Sequence, residues 1–123
     1  RTNLEGRFVA AGATGARQAP IVAVGDPVEW MRSGHDLPRS GELMLVGFAD
    51  LTEGFLELHA PGIIVSPVLA RHFDCIDLAH HLSRIGYSGQ YRAVSGDMPS
   101  PEIIEREIRQ LCPGMDFAVV AEV

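Results

Sequence analysis

The sequence predicts a single doubly wound α/β domain, and three observations support this prediction. The length of 123 residues is enough for one hydrophobic core. Short apolar runs, such as residues 21–24 and 43–46, have the continuous character of parallel strands that are buried on both faces. Segments with helix-capping signals separate these runs. Such alternation predicts a parallel sheet with helices on both faces, because right-handed crossovers leave few other solutions.

Five strands are expected, near residues 21–24, 43–48, 63–65, 91–95 and 117–120. Five strands alternating with helices favour a flavodoxin-like sheet in the order 2-1-3-4-5. We assign residues 21–123 to this domain and residues 1–20 to a linker or N-terminal arm. Within the arm, residues 12–15 (Gly-Ala-Thr-Gly) look like the start of a dinucleotide-binding loop, but the third glycine is missing. We therefore expect no cofactor.

Four helices are expected between the strands. The first begins at Asp26, with Pro27 at its first position and Glu29 completing a capping box. The second is predicted to be capped by Asp50 and to place Leu51, Phe55 and Leu58 on one apolar face. The third spans about residues 73–85, with a stripe of Phe73, Ile76, Ala79, Leu82 and Ile85, and the fourth follows a Ser100 cap with Pro101 at its first position.

Composition narrows the classes of function. The net charge of −6 disfavours binding to a phosphate backbone, so no nucleic-acid partner is expected. No apolar run is long enough to span a membrane. The two cysteines, Cys75 and Cys112, do not form a disulfide framework, which favours a reducing, cytoplasmic compartment.

The segment from Pro61 to Ser95 carries a family resemblance. Its sequence includes PGIIVSPVL at 61–69, FDCIDLA at 73–79, LSRIGY at 82–87 and YRAVS at 91–95. This pattern of strand ends and helix faces resembles the third strand, third helix and fourth strand of a response-regulator receiver domain. The resemblance extends over about residues 21–120.

The resemblance implies a site at the carboxyl ends of the strands. A receiver holds Mg²⁺ with an acidic pair after the first strand and with the phosphate-accepting aspartate that ends the third. A hydroxyl residue after the fourth strand and a lysine after the fifth bind the phosphate. Here Asp26 supplies one carboxylate, Ser66 replaces the phosphoacceptor, and Ser95 matches the hydroxyl. The lysine position falls near Ala121, the chain contains no lysine, and no arginine is close to the fifth strand in sequence. The resemblance therefore implies a degenerate receiver (a pseudo-receiver) without catalytic or metal-binding residues.

Simpler interpretations exist for each of these residues. Asp26 fits a helix cap as well as a remnant metal ligand. Ser95 fits either an anion site or a local turn with Gly96 and Asp97. Ser66 lacks the Gly-x-Ser-x-Gly context of an activated serine nucleophile, and Pro67 is a plausible strand-ending residue.

Two further groups of residues also have both a functional and a structural interpretation. His72, Cys75, His80 and His81 suggest either zinc or solvated helix histidines, with Asp77 and His81 spaced for an ion pair. Of Trp30 and Met31, one is expected to fill the core, and an exposed one would mark a contact surface.

The leading functional hypothesis is a non-catalytic signalling and protein-interaction module that binds a protein partner or a neighbouring domain of a larger regulator. A homodimer through the third or fourth helix is compatible with it. The alternative is a small-molecule-binding or enzymatic α/β domain whose crevice includes residues 25–26, Ser66, Ser95 and residues 96–97.

Overall fold

The structure is a computed structural model that describes residues 20–32, 43–95 and 99–121. Five strands form one fully parallel sheet in the order β2-β1-β3-β4-β5, which confirms the predicted α/β fold class and strand order. The strands are β1 (Ile21–Val24), β2 (Leu43–Val46), β3 (Ile63–Pro67), β4 (Gln90–Val94) and β5 (Asp116–Val120).

Helices connect the strands in the expected alternation. They are α1 (Pro27–Arg32), α2 (Glu53–His59), α3 (Cys75–Arg84) and α4 (Pro101–Leu111), with a short 3₁₀ helix at Phe48–Asp50. No helix within the described ranges has the length and apolar character needed to cross a membrane. Residues 1–19 of the predicted arm, which include residues 12–15, lie outside the described residues.

The sheet separates two layers of apolar side chains. On one face, Val22, Ile64 and Tyr91 belong to the larger core, which also contains Leu78 and Leu82 of α3. On the other face, Ile21, Ile63, Val65 and Val94 pack with Trp30 of α1. Helices therefore cover both faces, as a sheet of parallel strands requires.

Trp30 fills the smaller layer and is fully buried. Its indole Nε1 donates a hydrogen bond of 3.3 Å to the Val24 carbonyl. Gly25 has a φ of +128°, and a Cβ at that position would lie only 3.3 Å from Nε1 of the indole. The turn after β1 therefore requires glycine. Of the two expected core candidates, Trp30 is the core residue, whereas the side chain of Met31 lies outside the described part of the chain.

Two predicted helix starts are confirmed in part and one is wrong. Asp26 Oδ1 accepts a hydrogen bond from the Val28 amide at 2.8 Å. The side chain of Glu29, its expected partner in the capping box, is not among the described parts of the chain. Pro101 occupies the first turn of α4, but Ser100 adopts a left-handed backbone and makes no side-chain cap. Thr52, not Asp50, caps α2, since its hydroxyl accepts from the Phe55 amide at 3.1 Å.

The apolar face predicted for α2 needs correction, whereas the stripe predicted for α3 lies against the core. Leu51 precedes α2 and is buried, whereas Leu58 is 77% exposed, so they do not share a helix face. In α3 the buried residues are Cys75, Leu78, Ala79 and Leu82. Ala79 and Leu82 belong to the predicted stripe, and Ile76 and Ile85 pack against the same core while remaining partly exposed. A constant spacing of three residues omits Leu78, because the helix has about 3.6 residues per turn. The helix begins later than predicted because Asp74 and Asp77 form a reciprocal capping box.

Leu82 and Leu58 provide a matched pair for testing this core. Leu82→Ala should lower the free energy of unfolding by about 2–5 kcal/mol, because it removes a fully buried side chain from the larger layer. Leu58→Ala should change it by less than about 0.5 kcal/mol, since that side chain is exposed. Urea unfolding followed by circular dichroism measures both. Equal losses in the two variants would contradict the assigned core.

Candidate functional site at the carboxyl edge of the sheet

The strand register brings the carboxyl ends of several strands to one edge of the sheet. Pro67 of β3 pairs with Val94 of β4, and Val24 of β1 pairs with Val46 of β2. In open parallel sheets, ligands bind at this edge. The three residues singled out from the sequence, Asp26, Ser66 and Ser95, come from this part of the fold, but their side chains have different surroundings.

The Ser66 side chain is enclosed in the core. The residue is fully buried, and its hydroxyl donates a 2.9 Å hydrogen bond to the Pro67 carbonyl. The Tyr91 hydroxyl lies 2.7 Å from Ser66 Oγ. Either hydroxyl can be the donor in this second contact, because the Tyr91 phenol also reaches the Cys75 carbonyl at 3.5 Å. The serine is therefore fully engaged with protein groups.

The same hydrogen bonds fix the direction of the Ser66 side chain. Tyr91 belongs to the larger core layer, which α3 covers, and its hydroxyl is 3.5 Å from the carbonyl of Cys75, the first residue of α3. Ser66 therefore points towards α3 through the face of the sheet, and not out over the strand ends. It links β3, β4 and α3 in one buried polar contact.

None of the groups around Ser66 ionises readily near neutral pH. Burial raises the pKa of the Tyr91 phenol well above its ordinary value, and the hydrogen bond from Ser66 offsets this only in part. Burial, reinforced by the negative charge of Asp74, raises the pKa of the Cys75 thiol to about 11. Neither group is available as a base or an anionic nucleophile for Ser66 at neutral pH.

Asp26 lies at a different part of the edge, in an open cleft of about 340 Å³ between the ends of β1 and β2. Its carboxylate is exposed and accepts the Val28 amide. Ser66 and Ser95 do not line this cleft, so the structure does not gather the three predicted residues around one cavity. The lining residues are Gly25, Asp26, Pro27, Leu45, Val46, Gly47, Phe48, His72 and Phe73.

Aromatic rings form one wall of the cleft. Phe48 and Phe73 stack with their centroids 5.0 Å apart and their planes 14° from parallel. His81 of α3 lies next to this pair, 5.2 Å from Phe48, and its Nε2 is 2.5 Å from the Leu51 carbonyl. Sequence reasoning missed this wall, because its members come from separate elements. The only signal was that Phe48 ends the predicted second strand and Phe73 begins the predicted third helix.

The predicted Asp77–His81 ion pair does not form. His81 bonds instead to the Leu51 carbonyl, and Asp77 accepts the Asp74 amide at 3.1 Å. Of the histidines and the cysteine considered for zinc, His72 lines the cleft, Cys75 is buried and His80 is exposed. Within the described ranges, no three His, Cys, Asp or Glu side chains are grouped so that they could hold a metal ion.

Ser95 and Ala121 complete the predicted site. The Ser95 amide donates to the Val120 carbonyl at 2.9 Å, which extends the pairing of β4 and β5, and the residue is half-buried. Its expected turn partners, Gly96 and Asp97, lie outside the described residues. Ala121 is exposed after β5. Arg92 does reach β5, but it bonds to Asp116 at the opposite, amino end of the strand and so does not replace the missing lysine.

Comparison with known proteins adds no family assignment: the sequence matches no protein-family model and no curated protein.

The buried phenols predict a loss of stability at alkaline pH. Burial raises the pKa of Tyr87 and Tyr91, the only tyrosines of the chain, in the folded state. Both phenols therefore stabilise the fold fully below about pH 10, their unfolded pKa, and the free energy of unfolding should fall as the pH rises above it. Cys75 acts in the same direction. Absorbance at 295 nm should show tyrosinate only as the protein unfolds. Ionisation of both tyrosines near pH 10 with native circular dichroism would contradict the prediction.

Proposed function

We propose that this chain is a non-catalytic, receiver-like module that works by binding another protein. The observation that carries the proposal is the state of Ser66. In the position that a receiver uses for its phosphate-accepting carboxylate, this chain has a neutral hydroxyl that is buried and hydrogen-bonded to Tyr91 and Pro67. A neutral hydroxyl does not provide the carboxylate that forms an acyl phosphate.

Charge supports the same proposal. A phosphoryl group transferred at the strand ends needs a cation, such as Mg²⁺ or a lysine, to stabilise it. Asp26 is the one carboxylate that lines the cleft, the chain has no lysine, and Arg92 is engaged at the amino end of β5. The parallel sheet and its connections are retained, so the scaffold remains available for protein contacts.

The loop after β3 offers a contact for such a partner. The Ala70 amide donates to the Phe73 carbonyl and the Cys75 amide to the Val68 carbonyl, both at 2.9 Å, so the loop is a hydrogen-bonded turn. It presents Leu69, which is 74% exposed. An ordered turn that presents an apolar side chain binds a partner with little loss of conformational entropy.

The proposal predicts that the protein does not respond to a mimic of the phosphoryl group. When Mg²⁺ and then beryllofluoride, a mimic of the acyl phosphate, are added, the two-dimensional amide NMR spectrum should stay unchanged at Asp26, Ser66 and Ser95. Asp26→Asn, which preserves a helix-capping side chain while removing the charge, is the control for Mg²⁺ bound weakly at that carboxylate. Beryllofluoride-dependent shifts at Ser66 or Ser95 in the unmodified protein would refute the proposal.

The cleft at the ends of β1 and β2 favours a second candidate function, the binding of a small molecule. Its volume of about 340 Å³ falls in the range of known ligand pockets. The stacked Phe48 and Phe73 rings favour a flat apolar ligand. Asp26 has one carboxylate oxygen without a hydrogen-bond partner among the described residues, which favours a ligand with an ammonium or amidinium group.

This second function predicts that aromatic amines raise the melting temperature of the protein by mass action. Asp26→Asn should weaken the binding by about tenfold to a hundredfold, since a charge-assisted hydrogen bond contributes roughly 1.5–3 kcal/mol. Glu107→Gln, on the exposed side of α4, is the matched control and should have no effect. If no aromatic amine at millimolar concentration shifts the melting temperature, or if both variants weaken binding equally, the cleft is not the site.

A further inference from the structure

A second cleft, here called the amino-edge cleft, opens at the opposite edge of the sheet. It has a volume of about 480 Å³ and lies between the ends of α2 and α3. One wall is a single face of α2, because its residues are spaced by three or four positions. The other wall is the turn that follows α3. The lining residues are Glu53, Leu56, Glu57, Ala60, Pro61, Ile85, Gly86, Tyr87, Ser88 and Gly89.

The amino-edge cleft has a negative electrostatic potential. Glu53 and Glu57 are both exposed and stand four residues apart on α2, where like charges repel each other. Helices α2 and α3 both end at the cleft, and the carboxyl end of a helix carries partial negative charge. Neither glutamate forms an ion pair with another described residue. A cation bound in this cleft would relieve the repulsion.

The chain itself contains a basic segment that could bind in this cleft, at its N-terminal end. Residues 1–19 contain Arg1, Arg7 and Arg17 but only one acid, Glu5, which gives this segment a net charge of +2. The remaining residues carry seven arginines and fifteen acids, a net charge of −8, so the two parts sum to the −6 of the whole chain. The basic segment and the acidic cleft are therefore complementary in charge.

The segment also joins the domain close to the cleft. Pro20, the residue that follows it, accepts a 3.1 Å hydrogen bond from the Gly62 amide through its carbonyl. Gly62 is the neighbour of Pro61, which lines the cleft. Arg17 is three residues before Pro20, a distance of at most about 10 Å along an extended chain. Its guanidinium is therefore within reach of α2 and its two carboxylates.

We propose that residues 1–19 of the N-terminal arm bind in the amino-edge cleft of their own domain and that their arginines, Arg17 first, pair with Glu53 and Glu57. This interaction is independent of the proposed receiver-like function, because it uses the opposite edge of the sheet. A basic segment of a partner protein would have to displace the arm to reach the same surface.

Trypsin tests the proposal on the full chain, because the absence of lysine confines cleavage to arginine. In the double variant Glu53→Gln/Glu57→Gln, cleavage after Arg7 and Arg17, followed by mass spectrometry, should be about threefold to tenfold faster than in the unmodified protein. This is the range that one or two exposed ion pairs produce. The matched control is Glu102→Gln/Glu107→Gln, which makes the same charge change on α4, again with one residue in the first turn. Its cleavage rates should be unchanged.

A second measurement keeps the test independent of protease access. Arg17→Gln should shift the amide NMR signals of Gly86 and Gly89 in the cleft, whereas Arg106→Gln on α4 should leave them in place. Equal cleavage rates in all three proteins, or unmoved cleft signals in Arg17→Gln, would overturn the proposal. Arm protection that increases with protein concentration would also overturn it, since the arm would then occupy the cleft of a second copy.

Discussion

The burial of β3 on both faces is the constraint on which the rest of this structure depends. Ile63 and Val65 belong to the core layer that contains Trp30, and Ile64 belongs to the layer that α3 covers. All five residues of the strand are buried, and the strand pairs with β1 on one side and β4 on the other. Every polar side chain on this strand must therefore find its hydrogen-bond partners within the protein.

That constraint explains the surroundings of Ser66. A hydroxyl in the interior costs about 1–3 kcal/mol unless it is hydrogen-bonded. Here the Pro67 carbonyl and the Tyr91 phenol satisfy it, and burial in turn keeps the phenol neutral. An ionised carboxylate facing the same way would lack a cation, since no arginine contacts this position in the described residues and lysine is absent from the chain. Ser66 therefore serves the packing of β3, β4 and α3.

Much of the fold could be predicted from local sequence. The apolar runs identified β1 and β2 because parallel strands need apolar residues on both faces, and the alternation with helices gave the strand order through the handedness of crossovers. Local reasoning was wrong where two local candidates compete. Asp50 and Thr52 are both good caps, and the choice between them follows from where Leu51 packs in the core. The stripe predicted for α3 lay on its core side, but its constant spacing of three omitted the buried Leu78.

The site was less predictable than the fold, because its contacts join distant residues. Ser66 and Tyr91 are 25 positions apart, and nothing in either segment alone indicates that their hydroxyls meet. A usable signal was nonetheless present: a tyrosine at a core-facing position of a strand needs a buried partner for its hydroxyl. The cleft lined by Phe48 and Phe73 depends on the same long-range packing and left no comparable signal.

The edges of the sheet determine how a partner protein can bind. An edge strand exposes unpaired backbone groups that another chain can use to extend the sheet. On β5 this route is restricted, because Glu105 of α4 accepts a 2.9 Å hydrogen bond from the outward-facing Val119 amide. A strand added at β5 would have to break this charge-assisted bond and leave the carboxylate half-buried without its donor. Surfaces at the ends of the strands and helices leave this bond intact. The turn that presents Leu69 and the acidic amino-edge cleft are two such surfaces, and they lie at opposite ends of the strands.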